Sequence, residues 1–279
     1  TYALEGVYLS LEEESASFNA SSDEFNILSR PFYNVTNDRQ DARRLVFPNE
    51  TTGSLQIDTD TRFQTVELLL RRNLSQRCGA RIDLLLGYRF AELEERLRID
   101  EATRVLSGVN AGTTFDLYDR FDTSNSFHGF EIGLAGTHCP DPLWTFDWRA
   151  KVALGSNNSE ADIFGETTQT PNAGAAVTSE GGLLALPTNI GTFSDDSFGT
   201  ITELGVTLKR RVFSRLDVSF GYSFLLWTHV ARASDQIDVG INQTQLLPGG
   251  LNGDARPAVT QRTSDFWTQG LRVGLESHF

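Results

Sequence analysis

The chain has 279 residues, which is enough for one large barrel or two small domains. It carries 24 Lys and Arg residues against 37 Asp and Glu residues. The resulting formal charge of −13 argues against nucleic acid as a partner, because phosphate binding needs a basic surface. No run of about 18 apolar residues occurs, which excludes a transmembrane helix. Alternating strands can still span a membrane, because only every second residue of such a strand faces lipid.

The first part of the chain contains little regular alternation. Residues 2–11 form a short strand candidate whose two faces cannot be assigned. Residues 12–53 are polar and interrupted by Ser, Asn and Pro, which predicts a long loop. Within this loop, residues 25–36 (FNILSRPFYNVT) are the candidate for an extra strand or a plug.

Clear alternation begins at residue 55 and predicts four strands. They cover 55–72, 80–99, a segment that ends at 137, and 144–155. Successive side chains of a strand point to opposite faces, so each strand has an apolar face and a polar face. The strand over 144–155 has the cleanest pattern, since its apolar side chains alternate with charged or small ones throughout.

Three more strands are predicted in the second half of the chain. The sixth covers 203–212, the seventh covers 216–226, and the last runs from 263 to the aromatic residue at 279. The segments 170–197 and 237–262 between them are rich in Gly, Thr and Pro and are predicted to be long loops.

The predicted connections alternate between long and short. The short ones are turns at 73–79, 139–143 and 213–215, and the long ones include the charged hairpin around 107–112. Short turns at one end and long loops at the other are the rule for outer-membrane barrels. The sequence therefore predicts an all-β fold, an antiparallel up-and-down transmembrane β-barrel of eight strands, as one domain over residues 1–279. Ten to twelve strands, or a soluble barrel or sandwich, are the alternatives.

The alternation also predicts the register of the sixth and seventh strands. Their apolar positions are all even-numbered, so the connecting turn should have an odd number of residues, and 213–215 is the natural choice. Arg211 should then lie opposite Asp217 on the inner face, and Leu208 opposite Phe220 on the outer face.

The two faces of the strands carry different side chains. The aromatic residues predicted to face the membrane are Trp144, Phe146, Trp148, Phe220, Tyr222, Phe224 and Phe279. The predicted lumen charges are Glu67, Arg71, Arg81, Asp83, Arg89, Glu131, Asp147, Arg149, Lys151, Glu203, Lys209, Arg211, Asp217, Arg272 and Glu276. Eight are positive and seven are negative. A buried charge is costly unless it is paired, so this balance predicts a lumen closed by ion pairs.

Specific partners follow from this prediction. Arg149 and Lys151 are expected to pair with Asp147, Glu131 or Glu203, and Arg272 with Glu276 or with residues of the seventh strand. A wider barrel whose charges line water is the alternative.

Few other residues suggest chemistry. Cys78 and Cys139 lie at the short-turn ends of neighbouring strands and are candidates for a disulfide, although their opposite parity disfavours a facing pair. Asp235 and Asp238 form a weak cation candidate. No known catalytic or metal-binding motif is present, so the sequence predicts neither an enzyme nor a cofactor. A Ser–His–Asp arrangement around His229 is the minor alternative.

Several stretches resemble the planctomycete-type β-barrel porin family of outer-membrane proteins. They are LLLGYRFAELEERLRI (84–99), GGLLALPTNIG (181–191), FGYSFLLWTHVARASDQID (220–238) and DFWTQGLRVGLE (265–276). The terminal Phe279 also resembles the assembly signal of outer-membrane barrels. The resemblance implies location in the bacterial outer membrane with both termini periplasmic, contact with lipid, and recognition of Phe279 by the barrel-assembly machinery. It implies no catalytic or binding residue.

Two functions are consistent with these patterns. In the first, a closed barrel displays acidic extracellular loops to surface-layer or other envelope proteins. In the second, the barrel is a passive channel for small solutes. The balanced lumen charges favour the first, because they suit a packed interior better than a water-filled one.

Overall fold

Most of the chain folds into β-strands in a computed structural model that describes residues 2–213, 216–247 and 249–277. The strands of the first half are β1 (Tyr2–Ser10), β2 (Glu14–Ser21), β3 (Leu28–Asn34), β4 (Arg39–Val46), β5 (Thr51–Arg77), β6 (Ala80–Val105) and β7 (Thr114–Asp141). Those of the second half are β8 (Trp144–Thr170), β9 (Val177–Glu180), β10 (Gly191–Phe213), β11 (Leu216–Ala231), β12 (Gly240–Ile241) and β13 (Thr263–Ser277). Two short 3₁₀ turns cover Ala233–Gln236 and Gln243–Leu246. No helix in these ranges is long and apolar enough to cross a membrane.

One large sheet contains most of these strands. Its path runs β1-β5-β6-β7-β8-β10-β11-β13, which is eight strands, while β2 also pairs with β5 and β9 with β8. Every pairing in this sheet is antiparallel. β1 and β13 are its two edges, and they are not paired with each other over the described residues. A second, small sheet has the order β12-β3-β4.

The sheet curls so that distant strands meet through their inner side chains. Arg89 on β6 forms an ion pair with Glu203 on β10, and Arg149 on β8 approaches Glu5 on β1. These strands are not neighbours on the sheet path. The inner face is therefore concave, and we call the end with the short turns the short-turn end and the opposite end the loop end.

The strands β5 to β8 are much longer than a membrane crossing requires. They have 26 to 28 residues, whereas a tilted strand of about 9–11 residues spans the bilayer core. On β6 the apolar outer positions occupy 82–90, and the outer positions from Glu92 to Arg98 that follow are charged. On β7 the exposed Phe130, Ile132 and Leu134 likewise give way to polar side chains toward the loop end. The loop-end half of the sheet thus extends beyond the apolar band.

Glycines on the inner face make room for long charged side chains. The facing pairs are Arg89 with Gly129, Glu131 with Gly87, Lys151 with Gly133, Arg149 with Gly205, and Arg272 with Gly221. At Gly87 an added Cβ would lie 2.0 Å from the carbonyl oxygen of Leu68, and at Gly133 it would lie 2.7 Å from Cγ of Lys151. A larger residue would therefore push against the backbone or against the charged side chain.

The predicted long loops contain strands, of which only β3 lies in a segment, 25–36, that the sequence offered as a candidate strand. The segment 12–53 contains β2, β3 and β4, and β2 continues the line of β1 along β5. The segment 170–197 contains β9 and the start of β10, and 237–262 contains β12. These strands are polar or short, so local alternation does not reveal them. β2 and β12 also pair with residues distant in the chain.

The register prediction for β10 and β11 is confirmed, but the turn differs. Arg211 lies opposite Asp217 and donates to its carboxylate at 3.0 Å, and Leu208 lies opposite Phe220. Phe213 pairs with Leu216, so the turn is shorter than predicted. A bulge between Arg211 and Phe213 restores the faces, as an extra residue in one strand can do. The remaining turn residues, 214 and 215, lie outside the described residues.

Other short turns also differ slightly from expectation. The predicted turn at 73–79 shrinks to two residues because β5 continues to Arg77 and β6 begins at Ala80. An irregularity between Asn73 and Ser75 accompanies this continuation.

The predicted disulfide is absent, since Cys78 and Cys139 are both free and exposed. The amide N–H of Cys139 donates to the carbonyl oxygen of Gly79, so Cys139 lies across from the turn rather than across from Cys78. Its sulfur lies 3.6 Å from Oγ1 of Thr145 on the inner face. The parity difference that disfavoured a facing pair therefore persists at this turn.

We expect a maleimide reagent to label both thiols of the native, unreduced protein. Exposed free thiols react, whereas a disulfide does not. Mass spectrometry should find two labels per chain before any reductant is added. Labelling only after reduction would contradict the structure at this turn.

Candidate functional site

The concave interior of the sheet is the candidate functional site. It contains four layers of side chains that follow one another from the short-turn end to the loop end. We call them the vestibule, the ion layer, the aromatic layer and the cap, and each is defined by its residues below.

The ion layer consists of five charged side chains from five neighbouring strands of the sheet path. They are Glu67 on β5, Arg89 on β6, Glu131 on β7, Lys151 on β8 and Glu203 on β10. Arg89 and Lys151 each contact all three carboxylates. The Nζ of Lys151 is 2.9 Å from Glu203 and 3.7 Å from Glu131, and Nη2 of Arg89 is 3.2 Å from Glu131.

Burial makes this layer energetically sensitive. The side chains of Arg89, Glu131 and Lys151 are fully buried. Both carboxylate oxygens of Glu131, and Nε and Nη1 of Arg89, lack a hydrogen-bond partner in the structure. Glu131 is therefore held by the nearby charges of Arg89 and Lys151 rather than by hydrogen bonds. Loss of either cation would leave buried carboxylates uncompensated, which is strongly destabilising.

The aromatic layer lies next to the ion layer on its loop-end side. Phe63 on β5, Phe127 on β7, Trp227 on β11 and Phe266 on β13 meet in the interior. The ring centroids of Phe63 are 5.2 Å from Phe266 and 6.3 Å from Trp227, and Phe127 is 6.1 Å from Trp227. Such spacings are typical of packed aromatic pairs. Leu93, Ala153, Ile201, Leu225 and Val230 complete this cluster, so four rings and several aliphatic side chains fill the interior here.

Polar side chains above the aromatic layer hold the irregular end of β11. Asn125 accepts the N–H of Ala231 at 2.7 Å and donates to its carbonyl oxygen at 2.8 Å. Asn157 donates to the carbonyl oxygen of His229 at 2.7 Å. His229 has a φ of 61°, and the register shifts between Trp227 and Val230. This bulge turns Val230 inward, which adds an apolar side chain to the aromatic layer.

The cap closes the loop end of the interior. It consists of the β3–β4 hairpin and the segment 181–190, which pack against Phe121, Ile163 and other apolar side chains of the long strands. Arg30 on β3 is buried and pairs with Asp119 on β7 at 2.5 Å and with Glu101 on β6 at 3.4 Å. The hairpin is thus fixed inside the curved sheet by buried ion pairs as well as by apolar packing.

Asp119 also organises the segment 181–190 of the cap. Its Oδ1 accepts the backbone N–H groups of Leu183, Leu184 and Ala185 at 2.8, 2.9 and 2.9 Å. An added Cβ at Gly182 would lie 2.2 Å from the same oxygen, so only glycine fits there. One carboxylate therefore satisfies three buried donors and a guanidinium, which explains why so apolar a loop segment can lie inside the protein.

The vestibule is a polar cavity of about 570 Å³ at the short-turn end. Its charged lining residues are Arg71, Asp147, Arg149, Glu203, Lys209, Arg272 and Glu276. Arg149 lies 3.8 Å from Glu5, and Lys209 lies 3.7 Å from Glu276, so both ion pairs are loose. The cavity ends at the ion layer, which contributes Glu203 to its wall.

The structure brings only part of the predicted charge network together. Five residues form the ion layer, while Arg71 and Arg81 both pair with Asp83 at the rim. Lys151 pairs with Glu131 and Glu203 as predicted. Arg149 instead approaches Glu5, and no carboxylate of the described residues lies within ion-pair distance of Arg272. The two expectations for these arginines were wrong because the sequence does not specify which strands meet across the interior.

The predicted aromatic residues that belong to the described part of the chain lie on the outer face. Phe146, Phe220 and Tyr222 are exposed there. Trp148 covers Gly136, where an added Cβ would lie 2.4 Å from the indole ring. Arg210 lies over the ring of Trp144 at 4.9 Å, and Phe224 stacks on Trp267 with centroids 6.4 Å apart. Phe279 lies outside the described residues.

Sequence reasoning missed the aromatic layer, and of the cap it suggested only residues 25–36, as an extra strand or a plug. Phe63, Phe127 and Trp227 are odd-numbered, as are the other inner-face residues of their strands. Three large rings at inner positions were the signal from which the aromatic layer could have been predicted. Glu5 was missed because the faces of the first strand could not be assigned. The partners of Asp119 come from a loop, which no local pattern connects to β7.

The weak cation candidate is engaged by protein groups. Asp238 accepts hydrogen bonds from Arg256 at 2.8 Å and from the N–H groups of Gly240 and Ala258 at 2.9 and 2.8 Å. Asp235 accepts one from Ser264 at 2.6 Å. Among the described residues, no group of three or more His, Cys, Asp or Glu side chains could hold a metal ion. For the alternative Ser–His–Asp arrangement, the side chain of His229 is exposed. The hydrogen bond to Asp235 comes from Ser264 rather than from His229.

Comparison with known proteins gives one match. The model of the family described as Putative beta barrel porin-7 matches residues 1–279, which is the whole chain. No curated protein and no solved structure matches the chain.

We expect Arg89→Leu to destabilise the fold by about 3–5 kcal/mol, because it leaves the buried carboxylates of Glu67 and Glu131 and the part-buried one of Glu203 with Lys151 alone. Glu131→Gln is the matched control. It keeps the shape, removes one of three negative charges and should cost far less. Urea unfolding of the protein in detergent micelles, followed by tryptophan fluorescence, would measure both. Equal effects of the two substitutions would contradict the charge balance described above.

The loop around Asp238 should open only in strong acid. Partial burial acts to raise the pKa of Asp238, but hydrogen bonds from Ala258, Arg256 and Gly240 outweigh it and hold the pKa below its ordinary value. A lowered folded-state pKa stabilises the loop above the ordinary carboxyl range of about 3.9, and this contribution is lost as pH falls through the folded-state pKa.

Limited proteolysis of the loop as a function of pH would measure this opening. In Asp238→Asn the acid-dependent step should disappear, and cleavage at neutral pH should be faster than in the parent chain. An unchanged acid-dependent step in this variant would exclude Asp238 as its cause.

Proposed function

The chain belongs to the putative beta barrel porin-7 family, and from that premise we propose that it is an outer-membrane β-barrel with a closed lumen that acts through the acidic surface it presents outside the membrane. The family name implies a porin-like membrane protein without enzymatic activity. The closed lumen and the acidic display are our additions. These additions rest on the observation that the ion layer, the aromatic layer and the cap fill the interior one after another.

The outer face supports insertion into a membrane. Exposed apolar side chains recur on every strand of the sheet path, for example Leu68 on β5, Ile132 on β7, Val206 on β10 and Val273 on β13. A soluble protein seldom exposes so large a continuous apolar surface. Aromatic side chains occur within this band, as is usual where strands meet the lipid interface.

The two sheet edges support closure into a barrel of eight strands. The path has eight strands, and its edges β1 and β13 have no partner strand on their free sides over the described residues. A free edge inside a membrane would leave backbone groups without hydrogen bonds. Both edge strands have an apolar outer face, with Leu4 and Tyr8 on β1 and Leu271 and Val273 on β13 exposed. We infer that β1 pairs with β13.

The filled interior supports a closed lumen. A solute that entered the vestibule would meet the ion layer, then four packed aromatic rings, then the cap. An eight-stranded barrel has an interior just wide enough for side chains to fill it. Each layer connects several strands, so a conducting path would require the layers to rearrange together.

The distribution of charge supports display at the loop end. The parts of the chain beyond the apolar band, taken as 12–63, 92–128, 156–200 and 228–265, contain 28 of the 37 acidic residues and 12 of the 24 basic ones. The rest of the chain contains the other 9 acidic and 12 basic residues. The loop end is therefore strongly acidic, and the short-turn end is slightly basic.

These features suggest an orientation and a set of partners. Long strands and loops face the outside in outer-membrane barrels, so we propose that both ends of the chain lie on the periplasmic side. Recognition of Phe279 by the barrel-assembly machinery would then occur from the periplasm. An acidic outer surface would suit basic regions of surface-layer or other envelope proteins, and it would not attract nucleic acid.

The second candidate function is a passive channel for small solutes. The family name favours it, and the vestibule provides a water-accessible entrance at one end. A channel would require the ion layer, the aromatic layer and the cap all to move away from the axis.

Conductance separates the two functions. We expect the purified protein in a planar lipid bilayer to give no steady current steps, because the ion and aromatic layers close the interior. Phe63→Ala together with Trp227→Ala would thin the aromatic layer, and removal of residues 25–46 would remove the hairpin of the cap. Steady, ohmic steps from the unmodified protein would refute the closed lumen and support the channel.

A further inference from the structure

The cations of the vestibule have too few carboxylate partners. Arg71 and Arg149 converge on the single carboxylate of Glu5, at 3.2 and 3.8 Å. Arg71 has a second partner in Asp83 at 3.0 Å, but Arg149 has none among the described residues. Arg272 forms no ion pair with any described carboxylate, and its facing residue is Gly221, which leaves space beside the guanidinium.

The remaining carboxylates do not compensate these cations. Asp147 accepts a hydrogen bond from Thr137 at 2.7 Å and forms no ion pair within the described chain. Glu276 is 3.7 Å from Lys209, too far for a hydrogen bond. Glu203 is already engaged by Arg89 and Lys151 in the ion layer. Two guanidiniums and one loosely paired ammonium therefore share a polar cavity.

We propose that the vestibule is a binding site for a small, multiply charged oxyanion, a solute that bears a phosphate group or several carboxylates, held by Arg149, Arg272 and Lys209. Guanidinium groups bind such oxygens through parallel, charge-assisted hydrogen bonds. Glycines on the neighbouring strands, among them Gly205 and Gly221, let these long side chains lie along the wall. The cavity of about 570 Å³ accommodates a small organic anion.

The position of the site within the molecule favours an anion as well. The whole chain carries a formal charge of −13, yet the short-turn end is the part with more basic than acidic residues. Anions are repelled from the loop end and attracted toward the vestibule. The site therefore serves solutes on the short-turn side of the membrane.

Glu5 competes with the ligand in this arrangement. Its carboxylate occupies the space between Arg71 and Arg149 that an oxyanion would otherwise use. Its removal should free Arg149 and strengthen binding, an effect that damage to the fold cannot imitate.

The test uses the full chain folded in detergent micelles, with inorganic phosphate as the probe and isothermal titration calorimetry as the measurement. Ionic strength is held constant with chloride. We expect saturable binding that weakens roughly tenfold or more in Arg149→Gln and in Arg272→Gln, as expected for loss of a charged hydrogen bond. Glu5→Gln should bind several-fold more tightly than the parent chain. Arg210→Gln is the matched control, since this arginine lies on the outer face over Trp144, and it should bind as the parent does.

Three results would overturn the proposal. The first is no saturable binding of phosphate to the parent chain, and the second is equal weakening of binding in Arg210→Gln. The third is competition by chloride that is as effective as that of phosphate at the same ionic strength. Binding is measured here without a membrane, so its outcome is independent of conductance. A conducting protein that binds phosphate would refute the closed lumen alone, and a silent protein that fails to bind would refute the site alone.

Discussion

The ion layer is the interaction on which the rest of the interior depends. Two cations each contact the same three carboxylates, and each of the five side chains comes from a different strand. Such a cluster depends on both of its cations, because a buried charge without compensation costs several kcal/mol. The layer therefore specifies how strongly the sheet curls, since Glu203 on β10 reaches Arg89 on β6 only if the intervening strands bend.

Neighbouring features of the fold follow from this constraint. The long side chains need space, and glycines on adjacent strands supply it at Gly87, Gly129 and Gly133. The ion layer also separates two environments. On one side the polar vestibule contains Arg149, which pairs loosely with Glu5. On the other side aromatic rings pack together, with Arg232 over the ring of Phe266. The polar vestibule and the packed aromatic layer thus lie on opposite sides of the ion layer.

The cap depends on a similar principle at the loop end. Asp119 satisfies three backbone N–H groups and pairs with Arg30, so one buried carboxylate connects β7, the β3–β4 hairpin and the segment 181–190. Two clusters of charged side chains, the ion layer and the Asp119–Arg30 pair, thus hold the side chains inside the sheet at two different positions along its length. The acidic residues that cover the outside of the loop end are mostly exposed, and exposed pairs contribute little stability. We therefore expect these acidic residues to act through the electric field around the protein rather than through its stability.

The sequence by itself determined which side chains face inward and outward on the main strands, because side-chain direction alternates with a period of two. It predicted the register that places Arg211 opposite Asp217, and its resemblance to the porin family agrees with the family match. It also suggested that residues 25–36 could form a plug. Tertiary structure alone decided which inner residues meet. Arg149 faces Glu5 rather than a carboxylate of its own neighbourhood, Phe63 meets Phe266 from the other edge of the sheet, and Asp119 binds a distant loop. These contacts depend on the curvature of the whole sheet, a long-range property that no local pattern of residues encodes.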